Sequence, residues 1–224
     1  MRFSIIVPMV NEARGLPGLL ARLSVLVRQG CEVLIVDGGS DDGSVALAER
    51  AGFRVLPSPK GRARQMNLGA ARSTGDVLLF LHADTLLPEG ALANVRQTML
   101  KTAALWGRFD VLIDGTHPML RVIATLMNLR SRWTGIATGD QAIFVTRKAF
   151  HAVGGYPDQP LMEDIELSRR LRALARPACI HTPVLTSGRR WESRGVWRTI
   201  WLMWRLRWAY WRGTPAELLA QRYR

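Results

Sequence analysis

The chain has 224 residues, 48% of them hydrophobic, which suits one well-buried α/β domain and is short for two independent ones. Lysine and arginine total 31 against 18 acidic residues, a net charge of +13. Such a surface attracts phosphates, anionic lipid headgroups or nucleic acid, and charge alone does not choose among them. Cys31 and Cys179 stand apart, with no CxxC pair and no zinc-ligand spacing, so neither a disulfide framework nor a zinc site is implied and a reducing cytosol fits best.

The opening run Met1 to Pro8 is too short an apolar stretch for a signal peptide and reads as a first strand, Phe3 to Val7, followed by a helix from about Glu12. Glu32 to Val36 predicts a second strand, with a helix from Asp41 or Asp42. Arg54 to Leu56, a helix after Gly61 and the strand Asp76 to Leu81 continue the alternation. Strand and helix alternating in this way predict a mostly parallel sheet with helices on both faces, a Rossmann-like α/β fold. The rhythm then loosens: Phe109 to Ile113 reads as a strand, Pro118 to Trp133 as a helix, Ala142 to Val145 as a strand and Met162 to Leu174 as a helix. Near the end, Trp197, Trp201, Trp204, Trp208 and Trp211 recur at steps of four and three, which puts them on one helical face bordered by Arg198, Arg205 and Arg212. Thr214-Pro215-Ala216-Glu217 opens a last short helix.

Polar groups gather where strands turn into helices: Asn11 and Glu12, Asp37 to Asp42, Gly61 to Asn67, and His82-Ala83-Asp84. In a parallel sheet these ends converge on one edge, where such folds bind ligands. Asp41 or Asp42 suits a helix N-cap better than a ligand. Asp84 is different, because a carboxylate following an apolar strand is costly in a dry interior and useful as a hard oxygen ligand for Mg2+ or Mn2+ held against a diphosphate. His82 fits a second ligand, a donor to a ribose or a satisfied turn histidine equally well. Arg62, Arg64, Arg189 and Arg190 are candidates for diphosphate or anionic-acceptor contacts, since guanidinium forks match phosphate oxygens in pairs. Asp140 and Gln141 line the acceptor side or form a turn before a strand.

In order, Val7-Pro8 with Asn11-Glu12, Val36-Asp37-Gly38-Gly39-Ser40, Gly61 with Asn67-Leu68-Gly69, Gly75-Asp76 with Phe80-Leu81-His82-Ala83-Asp84, and Met162-Glu163-Asp164 resemble glycosyltransferase family 2, inverting enzymes of the GT-A fold. Gly61 to Asn67, Gly139-Asp140-Gln141, Pro160 to Asp164 and Thr186 to Trp191 are similar to a bacterial subgroup described as radical-SAM/selenodomain-associated or arsenosugar-biosynthesis glycosyltransferases. The resemblance implies one GT-A catalytic domain over 1–192, with 1–105 binding the nucleotide-sugar and 106–192 the acceptor, and a helical extension over 193–224. It implies a UDP- or GDP-linked sugar donor contacted by Pro8, Asn11, Glu12, Asp37, Arg62, Arg64, Asn67, His82 and Ala83. Asp84 matches the metal-binding last position of the DxD motif, with Mn2+ or Mg2+ as cofactor. Asp164 matches the general base, with Glu163 beside it. Asp140, Gln141, Arg189, Arg190 and Trp191 fall on the acceptor and diphosphate side, and the acceptor is a small molecule or lipid-linked. Two positions depart from the family pattern: His82 replaces the first Asp of DxD and Gly38 a common second Asp.

Two alternatives compete with this reading. A nucleotidyltransferase also uses a doubly wound sheet and metal-bound carboxylates, but normally has a Gly-rich basic loop where this chain has Pro8 to Glu12. A basic nucleic-acid-binding protein fits the charge but has no helix-turn-helix, zinc-finger or RNP-like signature, so no nucleic-acid partner is expected. The tryptophan stripe fits packing on the catalytic domain, a homodimer contact or a membrane interface. Arginines interrupt it, which excludes a spanning helix. The prediction is a cytoplasmic protein, peripheral on the inner face of the membrane.

Overall fold

The computed structural model describes residues 1–223. Its first half follows the predicted alternation: β1 (Phe3–Met9), α1 (Leu16–Arg28), β2 (Glu32–Asp37), α2 (Ser44–Arg50), β3 (Arg54–Pro57), α3 (Arg62–Arg72) and β4 (Val77–Phe80). The second half comprises β5 (Thr85–Leu86), α4 (Ala91–Thr102), β6 (Trp106–Asp114), α5 (Met119–Thr134), β7 (Phe144–Thr146), α6 (Arg147–Ala152), α7 (Glu163–Leu174) and β8 (Ala178–Ser187), then α8 (Arg189–Arg194), α9 (Val196–Trp211) and α10 (Ala216–Tyr223). One sheet takes all the strands in the order β3-β2-β1-β4-β7-β6-β8-β5. β3, β2, β1 and β4 run parallel, β7 runs against both β4 and β6, and β6 and β8 are parallel to each other.

Every residue of β1 is buried because helices cover both faces of the sheet. Alternate side chains divide between two cores: Ile5 and Val7 meet Leu16, Leu19 and Leu23 of α1, whereas Ile6 meets Met66 of α3 and Leu167 of α7. Close approach of α3 depends on Gly69, where a Cβ would stand 2.4 Å from the Ile6 side chain. The chain leaves β1 toward β2 on one side and reaches β4 on the other, so a crevice opens beyond the carboxyl end of β1.

Several elements differ from expectation for local reasons. Asn11 adopts a left-handed backbone with φ 55°, and α1 starts only at Leu16. Left-handed Gly43 precedes α2, so Asp42 does not cap it; its carboxylate instead accepts from the amides of Ala13 (2.9 Å) and Ser44 (3.0 Å), tying two loops together. β8 is not foreseen from the sequence because Pro183 interrupts it. The register with β6 jumps there, from Phe109 opposite Ile180 to Asp110 opposite Pro183, so the bulge accommodates a residue without an amide hydrogen.

β6 also carries a buried charge. Arg108 is fully buried and pairs with Asp110, which pairs in turn with Arg132, while Arg108 Nη2 donates to the Asn128 carbonyl at 3.0 Å. Removing one partner of such a pair leaves an uncompensated charge in the interior. Asp110→Ala is therefore expected to destabilise the fold by about 3–5 kcal/mol, read as a lower urea midpoint at unchanged slope.

Candidate active site

The carboxyl ends of β1, β2 and β4 form the floor of the site. Asp37 ends β2, and its carboxylate accepts from the Gly39 amide at 2.9 Å, the Ser40 amide at 3.0 Å and the Ser40 hydroxyl, so it orders the glycine turn. Gly38 has no room for the common Asp, since a Cβ would lie 2.7 Å from Val10 and 3.0 Å from Gln65. Gln65 falls within the Gly61 to Asn67 run but has no role assigned from sequence; its amide donates to the carbonyls of Met9 (2.9 Å) and Val36 (2.7 Å) and stitches β1 to β2 beneath that turn. Pro8 lies within buried β1, Asn11 receives the Asp41 amide on its side chain, and Glu12 pairs with Arg189 at 2.9 Å.

Opposite stands the acidic pair at the start of α7. Met162 takes a left-handed backbone, φ 64°, and is packed with Leu161 against Leu206 of α9 and Leu219 of α10, which holds the turn in place. Glu163 is 2% exposed and meets the Arg62 guanidinium at 3.3 Å. Asp164 accepts from the Ile165 amide at 2.7 Å and the Gly139 amide at 2.8 Å. Burial, followed by the charge of Glu163, pushes the Asp164 carboxyl up to about 6, against the opposing pull of the Gly139 amide and Arg62.

A short bridge joins the two sides. Next to Gly139, Asp140 meets His82 Nδ1 at 3.2 Å. Burial would raise the Asp140 carboxyl, but the bond and charge of His82, with the charges of Arg62 and Arg190, outweigh it and hold the group below the usual carboxylate range. The other face of the imidazole rests on Gly139, where a Cβ would come within 2.2 Å of Nε2. His82 thus spans from Gly139 to Asp140, with Nδ1 engaged by the Asp140 carboxylate. Ala83 is buried, and Asp84 is partly exposed with one long bond from Thr85 Oγ1 at 3.4 Å.

The third wall comes from the C-terminal helices. The Arg190 guanidinium lies 3.6 Å from the centre of the Tyr223 ring and donates to its hydroxyl. Burial raises the Tyr223 phenol, and Arg190 and Arg62 oppose that rise, which puts this ring among the charged groups of the site. A lone tyrosine near the chain end carries no sequence signal for such a place.

Four predicted contacts lie elsewhere. Arg64 pairs with Asp158 at 2.8 Å on the exposed surface. Asn67 clamps Tyr156, accepting from its amide and donating to its carbonyl. Gln141 is fully buried and bonds Thr138 and Asn128, so it shapes the turn instead of lining the cleft. Trp191 packs on Ile113, Leu120 and Val196. What the structure does bring together is His82, Asp140, Glu163, Asp164, Arg62 and Arg190.

Among the described residues no group of three His, Cys, Asp or Glu side chains is arranged to cage a metal. Asp84 nevertheless suits a hard cation shared with phosphate oxygens, since its carboxylate is largely free of protein donors.

The family model for glycosyl transferase family 2 matches residues 4–156. The chain belongs to that family. Over 174 residues it is 34% identical to a PGL/p-HBAD biosynthesis glycosyltransferase of Mycobacterium bovis, covering 69% of this chain and 62% of that protein. It thus spans less than two thirds of that relative. The family 2 fold here is similar to a mannosyltransferase from Pyrobaculum calidifontis in complex with GDP-Man and Mn2+, with a TM-score of 0.64 at 20% identity over 83% of this chain and 56% of that one. It is also similar to glucosyl-3-phosphoglycerate synthase from Mycobacterium tuberculosis in complex with Mg2+ and UDP, with a TM-score of 0.60 at 18% identity over 83% and 70%. The expected GT-A architecture, a mostly parallel sheet between helices, is therefore the one observed.

The charge of adjacent Glu163 adds to burial in raising the Asp164 carboxyl. Carboxyl 13C NMR is expected to follow Asp164 with a midpoint near 6. In Glu163→Gln the midpoint moves to lower pH, because the like charge that disfavours ionisation is gone.

Proposed function

We propose that this chain transfers a sugar from a nucleoside-diphosphate donor to an acceptor hydroxyl by single displacement. The observation that carries the reading is the bridge in which Asp164 accepts from Gly139 while adjacent Asp140 meets His82, two residues before Asp84. A candidate base and a candidate leaving-group site thereby share one edge of the sheet. Family membership and the nucleotides bound by the similar structures support a UDP- or GDP-linked donor.

Asp164 takes the acceptor proton as the hydroxyl oxygen bonds to the anomeric carbon. The bond from that carbon to the diphosphate oxygen breaks, its electron pair leaves with the nucleoside diphosphate, and configuration inverts. A base with a pKa near 6 is ionised at neutral pH yet basic enough to share a proton in the transition state. Glu163 keeps that pKa raised, and Arg62 offsets the paired negative charge. Arg62 and Arg190 are suited to the phosphate oxygens. Asp84 would hold a Mn2+ or Mg2+ ion, which when bound would neutralise charge on the diphosphate leaving group.

Asp164→Asn is expected to lower turnover about a hundred- to ten-thousandfold with donor binding retained, and undiminished turnover would overturn the assignment. In the parent protein, kcat/KM falls about tenfold per pH unit below pH 6, as the base becomes protonated. Screening UDP and GDP for Mn2+-dependent thermal stabilisation tests the metal assignment, because Asp84→Ala is expected to remove the metal-dependent part.

A further inference from the structure

The inward face of α9 is used up. Leu206 is buried with Leu161, Met162 and Leu219, Leu202, Met203 and Tyr210 pack beside it, and Val196 and Ile200 close the cluster against α5. The opposite face carries Trp197, Trp201, Trp204, Trp208 and Trp211, which are 59% to 82% exposed. The stripe therefore does not pack on the catalytic domain. Five indoles left in water on one helix are a large apolar surface without an occupant.

We propose that this face docks on the surface of an anionic phospholipid bilayer, with α9 lying in the plane of the headgroups. Charge decides the occupant. From Ser193 to Pro215 there is no acidic residue, and arginines stand at 194, 198, 205, 207 and 212. Arg198, Arg205 and Arg212 form a row along one flank of the stripe, seven residues apart. Arg205 covers the Trp201 ring at 4.3 Å and Arg212 the Trp208 ring at 4.9 Å. A second copy would bring like charges against this row, whereas lipid phosphates would pair with it. An indole presents an apolar body and an N–H donor, and a headgroup layer satisfies both. No helix is long and apolar enough to cross a membrane, so the contact is interfacial. Helix α5, which shares a core cluster with Val196 and Ile200, also exposes Val122, Leu126, Leu129 and Trp133.

Docking also bears on the acceptor, and this step rests on the transferase reading. α9 follows directly on α8, whose Arg189 pairs with Glu12 beside the donor crevice. On the transferase reading, a docked α9 would thus be joined through α8 to the crevice, which favours an acceptor presented at the bilayer surface.

The test uses the full chain and vesicles of phosphatidylglycerol mixed with phosphatidylcholine, compared with phosphatidylcholine alone. The expected result is co-sedimentation with the anionic vesicles, a blue shift of tryptophan emission and quenching by brominated acyl chains. Trp201→Ser, Trp204→Ser and Trp208→Ser combined lower vesicle binding more than tenfold at an unchanged melting temperature, since these side chains carry no core packing. No binding to anionic vesicles overturns the proposal, as does full binding by the triple variant. Self-association that the triple variant abolishes, without vesicle binding, overturns it in favour of a second copy of the chain. UDP- or GDP-dependent thermal stabilisation of the same samples reports separately on the transferase reading.

Discussion

The geometry of the site depends on a single amide. Gly139 donates its N–H to Asp164 and presents its bare α-carbon to the His82 ring, so one residue fixes both the carboxylate on α7 and the imidazole at the end of β4. A side chain at this position would push His82 away and break the approach of the two sides. Asp140, the next residue, completes the link by meeting the imidazole. Where the family pattern has a first carboxylate, this chain has an imidazole bonded to Asp140, while the Asp84 carboxylate keeps a single long bond from Thr85.

Holding two carboxylates side by side at the start of a helix is unfavourable unless something offsets their repulsion. The α7 N-terminus helps through its dipole and the Ile165 amide, and Arg62 supplies a full positive charge to Glu163. At Asp164 burial, joined by the charge of Glu163, outweighs these contributions, and its carboxyl stays near 6. Backbone conformation carries part of the load as well. Asn11, Ala142 and Met162 all adopt left-handed φ values around this cleft, where an ordinary residue is strained by about 1 kcal/mol or more. Such positions persist because the surrounding packing fixes them, and Met162 in particular is pinned by Leu206 and Leu219.

Much of this was legible from the chain. β1 to β4 announced themselves through apolar runs covered on both faces, and the acids at their ends fell on the predicted edge. Pro183 concealed β8, because a proline reads as a strand breaker until the facing register is known. Local pattern also overvalued Arg64, Asn67, Gln141 and Trp191, whose motif neighbours face the cleft while their own side chains turn to the surface or into the core. Partners far apart in sequence were beyond reach in principle. Nothing near His82 indicates Asp140, 58 residues on, and nothing near Arg62 indicates Glu163, 101 residues on. Tyr223 is the clearest case, since its surroundings come from burial and from Arg190 and Arg62, both distant in sequence.

The C-terminal helices have two unlike surfaces, one toward the site and one toward solvent. Inward, α9 and α10 supply the apolar wall that holds Met162 left-handed and so aims Glu163 and Asp164. Outward, α9 carries the tryptophans and arginines. A helix amphipathic in the ordinary sense would be polar on this second face. Here the face is apolar and basic, so water is a poor solvent for it even though the fold is already satisfied on the other side. The element that shapes the candidate base is therefore the same one that presents the surface most in need of a partner, and any load placed on α9 is borne by residues in direct contact with the turn that positions the acid pair.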